Sequence, residues 1–239
     1  MTSIFRTPYG ELQQFIQTLH SAGFKREDIT RVNLNPVDAQ RMYASIKDGQ
    51  SAGSWYVSPE CQAERAGQLW QDILLPEPPK DFRPATASEV LLLHVPRSFD
   101  ELWDLIDMPR GCTKWRSKIL KTVNRSLRFA PNKRVYTQPV WLAFDPEHGR
   151  GRRPDSLWGQ DNLAASEVLS ALIQFPKWML TWDMDGVSAP NMSGYQFKHE
   201  AEWSHVPYLR WEEGYGLELG ADPAEKDSAY WASPSVREC

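Results

Sequence analysis

A run of fourteen residues, NLAASEVLSALIQF (162–175), constrains the fold of this chain more than any other stretch. Apolar residues occupy nearly every face when the run is placed on a helix with about 100° per residue. A helix without a polar face is stable only when other elements cover it on all sides. The sequence therefore predicts a buried helix at 163–175, with the rest of a domain around it.

Four prolines in nine residues, PEPPKDFRP (76–84), mark the clearest boundary in the chain. Proline removes a backbone donor and favours extended structure, so this stretch predicts a linker. The sequence before it predicts three helices, which begin at Pro8, Pro36 and Pro59 because proline is favoured in a first turn. We therefore expect a helical unit at 1–75, a proline-rich linker at 76–88 and a second domain at 89–239.

The second domain mixes strand and helix patterns. EVLLLHV (89–95) predicts a buried strand, and Ser98 with Glu101 predicts a capping box for a helix at FDELWDLI. KRVYTQPVWLAF (133–144) predicts a strand that Pro139 restricts to a sheet edge or a bulge. YLRW and YGLEL flank a turn and predict a β-hairpin. Because no regular βαβ alternation is present, the class is α+β, with a largely antiparallel sheet around the buried helix.

Composition sets broad limits on the class of protein. Hydrophobic content of 41% and charged content of 24% are ordinary for a globular chain. No window approaches the ~18 apolar residues of a membrane span, and no signal peptide is recognisable. Cys61, Cys112 and Cys239 lie too far apart for a zinc motif. HEAEWSH offers His199, Glu200, Glu202 and His205 as ligands, but a spacing of six does not place the two histidines on one helical face, although a strand could. We expect a soluble, cytoplasmic protein with no membrane partner, no cofactor and no metal.

Positive charge is concentrated in one segment. Nine Lys or Arg and no acidic residue lie between residues 108 and 144, although the net charge of the chain is −4. On a helix over 113–129, five cations fall opposite an apolar stripe that contains Trp115 and Leu120. Like charges four residues apart repel each other, so we expect another group to compensate them. This predicted ridge consists of Lys114, Lys118, Lys121, Arg125 and Arg128.

Nucleic acid or another polyanion is the functional partner that the predicted ridge favours, because phosphates need little beyond regularly spaced positive charge. A second basic element, HGRGRRPD (148–155), adds Arg150, Arg152 and Arg153 on a loop that contains glycine. Two other partners remain open. One is an acidic protein, and the other is the chain's own acidic C-terminal tail, with nine acids against three bases from His199 onward.

Sequence motifs favour a non-catalytic binding protein, since no Walker loop, GxSxG or GxGxxG motif is present. KWMLTWDMDGVSAP (177–190) resembles the nucleophile motif of haloacid-dehalogenase-type phosphatases, which implies Asp183 as nucleophile and Asp185 as acid/base. The family's remaining acidic motifs do not follow, and Asp-Gly also fits a tight turn. The alternative is a hydrolase-like enzyme whose site is built from loops at 145–153 and 183–185.

Overall fold

The computed structural model describes residues 55–120, 126–182, 189–212, 215–226 and 230–239. The chain divides into two compact units, 1–56 and 57–239, and almost all described residues belong to the second. The helices predicted to begin at Pro8 and Pro36 lie outside the described residues. The linker at 76–88 and the domain limits set around it remain predictions.

Three α-helices lie in the described part of the second unit. They are α1 (Pro59–Leu69), α2 (Phe99–Leu105) and α3 (Ser166–Gln174). The predicted first-turn proline of α1 is present, and α1 packs on the strand that EVLLLHV predicts. Leu74 lies beyond the end of α1 and is exposed. The predicted capping box of α2 is present between Ser98 and Glu101.

The described strands form three sheets. They are β1 (Val90–His94), β2 (Thr113–Arg116), β3 (Leu127–Phe129), β4 (Val140–Asp145), β5 (Ala189–Pro190), β6 (Tyr195–His199), β7 (Glu202–Glu212), β8 (Gly216–Pro223), β9 (Trp231–Ala232) and β10 (Ser235–Glu238). The sheet orders are β1–β4–β10, β2–β8–β7–β6–β3 and β5–β9. Pairing is antiparallel except between β2 and β8 and between β5 and β9.

The predicted buried helix is confirmed. Every residue from 163 to 175 is buried except Ser166, which is half-buried. α3 packs against β1 on one side and α2 on another, so sheet and helix together exclude water from its faces. The second unit is therefore α+β, with largely antiparallel sheets around a buried helix. Within the described ranges, no helix has both the length and the apolar character that a membrane crossing requires.

The prediction for Pro139 is wrong. β4 begins after it, at Val140, and is the central strand of its sheet, between β1 and β10. Residues 133–139 belong to no described strand, so the missing donor of Pro139 removes no hydrogen bond from the ladder. Proline here marks where the chain enters the sheet, and it does not place the strand at an edge.

The predicted hairpin between YLRW and YGLEL is confirmed, with Glu212 opposite Gly216 at the end of β7 and β8. Gly216 has a φ of +124°, and a Cβ there would lie 1.9 Å from the carbonyl oxygen of Thr113. Glycine is required because the backbone of β2 approaches at this point. The start of β8 is therefore shaped to accept β2 as a parallel neighbour.

The predicted helix over 113–129 is wrong. Residues 113–116 form β2, a short 3-10 turn follows at Lys118–Leu120, and residues 127–129 form β3. The apolar residues do follow a helical period, and Leu120 is buried as predicted. All four residues of β2, however, pair with residues of β8. Tertiary strand pairing outweighs a helix propensity that amounts to tenths of a kcal/mol per residue.

Candidate anion-binding surface

Lys114 is compensated inside the protein. Its Nζ donates hydrogen bonds to the carbonyl oxygens of Trp103 and Asp104 at 2.7 Å and of Ile106 at 3.0 Å. These carbonyls lie at the end of α2 and carry the negative end of the helix dipole, and the Trp103 oxygen also accepts the Ile106 backbone N–H at 3.3 Å. Burial lowers the pKa of the Lys114 ammonium. Lys114 thus caps α2 and holds β2 against it.

Arg116 is also occupied within the fold. Its Nη1 lies 2.6 Å from an Asp100 carboxylate oxygen, and its guanidinium lies over the rings of Phe99 and Trp103 at 5.9 and 5.7 Å. The alternation of β2 places Lys114 and Arg116 on the same face, toward α2. Two of the positive charges of the segment therefore bind β2 to a helix.

Lys118 and Arg128, the remaining described members of the predicted ridge, do not share a helical face, because one lies in a 3-10 turn and the other in a strand. Lys118 is exposed in the 3-10 turn and forms no ion pair with any described carboxylate, while Lys121 and Arg125 lie outside the described residues. Arg128 lies in β3, on the far edge of the five-stranded sheet from β2. The role of these residues in binding an anion stays a prediction, but its geometric basis is no longer a helix.

Arg128 belongs to a compact group that we call the cationic–aromatic cluster: Arg128, Gln196, Lys198 and Trp203. Arg128 pairs with Gln196 across β3 and β6, and its Nε donates to Gln196 Oε1 at 2.9 Å. Its guanidinium carbon lies 4.2 Å from the centre of a Trp203 ring, and Lys198 Nζ lies 5.9 Å from that ring. One indole therefore contacts two cations.

The electrostatics of the cluster distinguish it from the rest of the basic segment. Among the described residues, no carboxylate lies within ion-pair distance of Arg128 or Lys198, and both side chains are exposed. The indole compensates them only in part, since an exposed cation–π contact contributes about 0.5–1 kcal/mol. Gln196 uses the Nε donor of Arg128 and fixes its orientation, and the terminal Nη donors face no described acceptor.

The basic loop at 148–155 is largely neutralised by its own carboxylates. Arg150 lies 3.5 Å from Glu147, and Arg153 donates from Nε at 3.1 Å to Asp155 and from Nη2 to the other oxygen. Arg152 is exposed and has no ion pair with a described residue. The loop therefore offers one uncompensated charge of the three that the sequence predicts for anion binding.

The hydrolase-like site predicted from the loops at 145–153 and 183–185 remains a prediction, because part of it lies outside the described residues. Asp183 and Asp185 lie outside the described residues. Asp145 is buried and accepts hydrogen bonds from Thr86 Oγ1 at 3.1 Å and Ser88 Oγ at 2.6 Å. Asp145 therefore ties β4 to the chain before β1, which is a structural role.

Two histidines meet where the sequence allows for a strand. The rings of His199 and His205, on β6 and β7, lie 4.5 Å apart. Burial, followed by the neighbouring His199, lowers the pKa of His205. No set of three or more His, Cys, Asp or Glu side chains arranged to hold a metal occurs in the described ranges.

The acidic C-terminal tail does lie beside part of the basic segment. β2 pairs with β8 of the tail in parallel, with Trp115 opposite Glu218. No ion pair joins the two strands in the described structure, and Glu218 instead binds Arg210 of β7 at 2.7 Å. The tail therefore contacts the backbone of β2, and the described cations of β2 are compensated by α2.

Lys198 and Trp203 were missed by the sequence analysis. They flank the turn between β6 and β7, and the sequence signal is a cation and an indole at the two ends of KHEAEW. Comparison with protein-family models, curated proteins and solved structures found no match.

Proposed function

We propose that this protein is a non-catalytic nucleic-acid-binding protein that binds single-stranded nucleic acid at the cationic–aromatic cluster. The observation that supports it is that Arg128 and Lys198 share the Trp203 indole without a carboxylate partner among the described residues. Two like charges held together repel each other, and a bound phosphate relieves that repulsion. The cluster thus needs an external anion to complete it.

The chemistry of the cluster fits a nucleotide better than a simple anion. The Nη atoms of Arg128 suit bidentate hydrogen bonds to phosphate oxygens, and Lys198 adds a mobile point charge. The guanidinium plane, supported by Trp203, is also a surface on which an unpaired base stacks. Single strands expose their bases for such stacking, so they are favoured over a duplex.

The surrounding charge supports a local site. Lys121 and Arg125 precede β3 in the sequence and lie outside the described residues, and they bring two further cations into this part of the chain. Glu200 in the turn between β6 and β7 and Glu202 at the start of β7 are exposed acidic residues that limit the positive region on that side. Because the net charge is −4, general electrostatic attraction to nucleic acid is absent, and binding depends on this cluster.

Fluorescence anisotropy with labelled oligo(dT) and oligo(rU) tests the proposal, using chains of about 20 nucleotides so that one site of ~4–16 nucleotides is covered. Wild type is compared with Arg128→Gln and Lys198→Gln. Each variant is expected to bind about fivefold more weakly, which corresponds to roughly 1 kcal/mol for one lost phosphate contact. The matched control is Lys226→Gln, which also removes one charge but comes from an exposed pair with Asp222.

The expected pattern is weaker binding by both cluster variants and unchanged binding by the control. Equal binding by wild type and Arg128→Gln, or an equal loss in Lys226→Gln, contradicts the proposal. The first result would mean that the cluster does not contact the nucleic acid. The second would mean that the loss of affinity follows from the change in net charge alone. Circular dichroism of each variant confirms that the fold is retained.

A further inference from the structure

A cavity of about 340 Å³ is lined by residues of β3 and β6 that are next in sequence to those of the cluster, and by the end of β1, the chain after β3 and the start of α3. Its volume falls at the lower end of the ~300–1,000 Å³ that is usual for small-molecule sites. Arg128, Lys198 and Trp203 do not line it. The residues that define its chemistry are Arg97, Phe129, Val135, Tyr136, Glu167 and Tyr195.

One wall of the cavity is a preformed aromatic surface. The Phe129 ring stacks on Tyr195 at 5.1 Å with an interplanar angle of 21°, and Phe99 holds Tyr195 from its edge at 5.8 Å. Phe129 is 41% exposed and Val135 is 49% exposed, so apolar surface is left in water at the mouth. A planar apolar ligand removes that surface from water and gains about 25 cal/mol per Å².

The inner end of the cavity carries a closed ion pair. Lys133 Nζ lies 2.6 Å from Glu167 Oε1, and the two side chains are 1% and 2% exposed. The other Glu167 oxygen accepts the Ala165 backbone N–H at 2.7 Å, and the Lys133 ammonium lies 5.3 Å from the Tyr136 ring centre. Because each charge already has its partner, the pair neither attracts nor repels a charged ligand strongly.

The accessible charge of the cavity is Arg97. The carboxylate within ion-pair distance of Arg97 in the described chain is that of Asp72, at 3.6 Å, and the Asp72 side chain is 80% exposed. Glu101 is a more distant acidic neighbour, whose pKa Arg97 helps to lower after the hydrogen bonds from Ser98. An exposed ion pair at that distance contributes little and exchanges readily with solvent or a ligand. The guanidinium thus remains available for a bidentate contact with a carboxylate.

We propose that this cavity binds a small planar carboxylate, with the ring against Phe129 and Tyr136 and the carboxylate on Arg97. Aromatic walls, a neutralised inner end and one accessible guanidinium together select an anionic planar molecule over a neutral or cationic one. This site is independent of the proposed nucleic-acid surface. It involves a different arginine, and either proposal can fail without the other.

Saturation-transfer NMR on the full chain tests the proposal with 2-naphthoate as the probe and 2-naphthamide as its uncharged analogue. Naphthoate is expected to bind saturably, and naphthamide about fivefold more weakly because it lacks the charge that meets Arg97. In Arg97→Gln the two probes should bind alike. The control Arg134→Gln removes an arginine from the same part of the chain that pairs with Asp161 and Glu238, and it should keep the wild-type preference.

A second variant identifies the wall. Phe129→Ser removes the exposed ring and is expected to weaken both probes while leaving any preference for naphthoate. The proposal is overturned if naphthoate shows no saturable binding to wild type, or if Arg97→Gln keeps the preference for naphthoate over naphthamide. Unchanged binding of naphthoate by Phe129→Ser also overturns it, because the probe then lies elsewhere.

Discussion

Basic residues that look alike in the sequence are compensated in four different ways. Lys133 is buried against the carboxylate of Glu167, and Lys114 is held by backbone carbonyls. Arg116 pairs with Asp100 at the surface of α2, and Arg128 lies over an indole. Lys114 and Arg128 both lack a carboxylate partner among the described residues, but Arg128 is exposed and keeps donors that no described acceptor uses, which is why we assign it to ligand binding.

The buried ion pair between Lys133 and Glu167 predicts how substitutions change the free energy of unfolding. Lys133→Met leaves the Glu167 carboxylate buried without its partner, and we expect a loss of about 3–5 kcal/mol in the free energy of unfolding. Urea denaturation followed by tryptophan fluorescence measures it. Lys133→Met combined with Glu167→Gln removes both charges and should recover a large part of the loss.

The control for the buried pair is the exposed ion pair between Lys226 and Asp222. Lys226→Met breaks the exposed contact with Asp222, 2.9 Å long and four residues apart, and should cost less than about 1 kcal/mol. A similar small loss for Lys133→Met would mean that Glu167 finds water or another donor. The double variant being no more stable than the single one would contradict the ion-pair account.

The strand β2 illustrates how an element can depend on distant sequence. TKWR is followed by apolar residues with a helical period, which favours a helix. The strand with which it pairs, β8, begins about a hundred residues later at Gly216. Pairing across that distance has no local sequence signal. The parallel contact instead depends on glycine at position 216, because the absence of a Cβ there leaves room for the backbone of Thr113.

Lys114 and Lys118 provide a matched pair for testing this arrangement. Lys114→Met removes the donor of the Asp104 and Ile106 carbonyls at the end of α2, and we expect a loss of about 1–3 kcal/mol in the free energy of unfolding. Lys118→Met removes an exposed ammonium and should change that free energy by less than about 0.5 kcal/mol. Urea denaturation measures the free energy of unfolding of both variants. Equal stabilities would exclude the capping role of Lys114.

Elements whose signals are local could be predicted from the sequence. The capping box of α2, the apolar run of α3 and the hairpin at Glu212 and Gly216 each depend on residues within one element or one turn. The candidate surface could not be predicted as a whole. Arg128 was singled out for its charge, but its proximity to Lys198 and Trp203 depends on the register of β3, β6 and β7.

The two candidate binding regions of the molecule differ in their chemistry. Eleven Trp are present, of which five are buried in the core and six are half-buried, including Trp203. Half-buried indoles serve interfaces and stacking as well as packing. The cluster offers two exposed cations on a sheet edge, and the cavity offers one arginine beside aromatic walls, so the two regions favour different anions.

The salt dependence of nucleic-acid binding tests the central claim most directly. Affinities of wild type and of the Arg128→Gln/Lys198→Gln variant for oligo(dT) are measured by anisotropy over a range of salt concentrations. Each phosphate contact to a single strand contributes about 0.7 to the slope of log K against log salt, so the variant should lose about 1.4 from the wild-type slope. Parallel lines for the two proteins would contradict the claim that these cations contact phosphates.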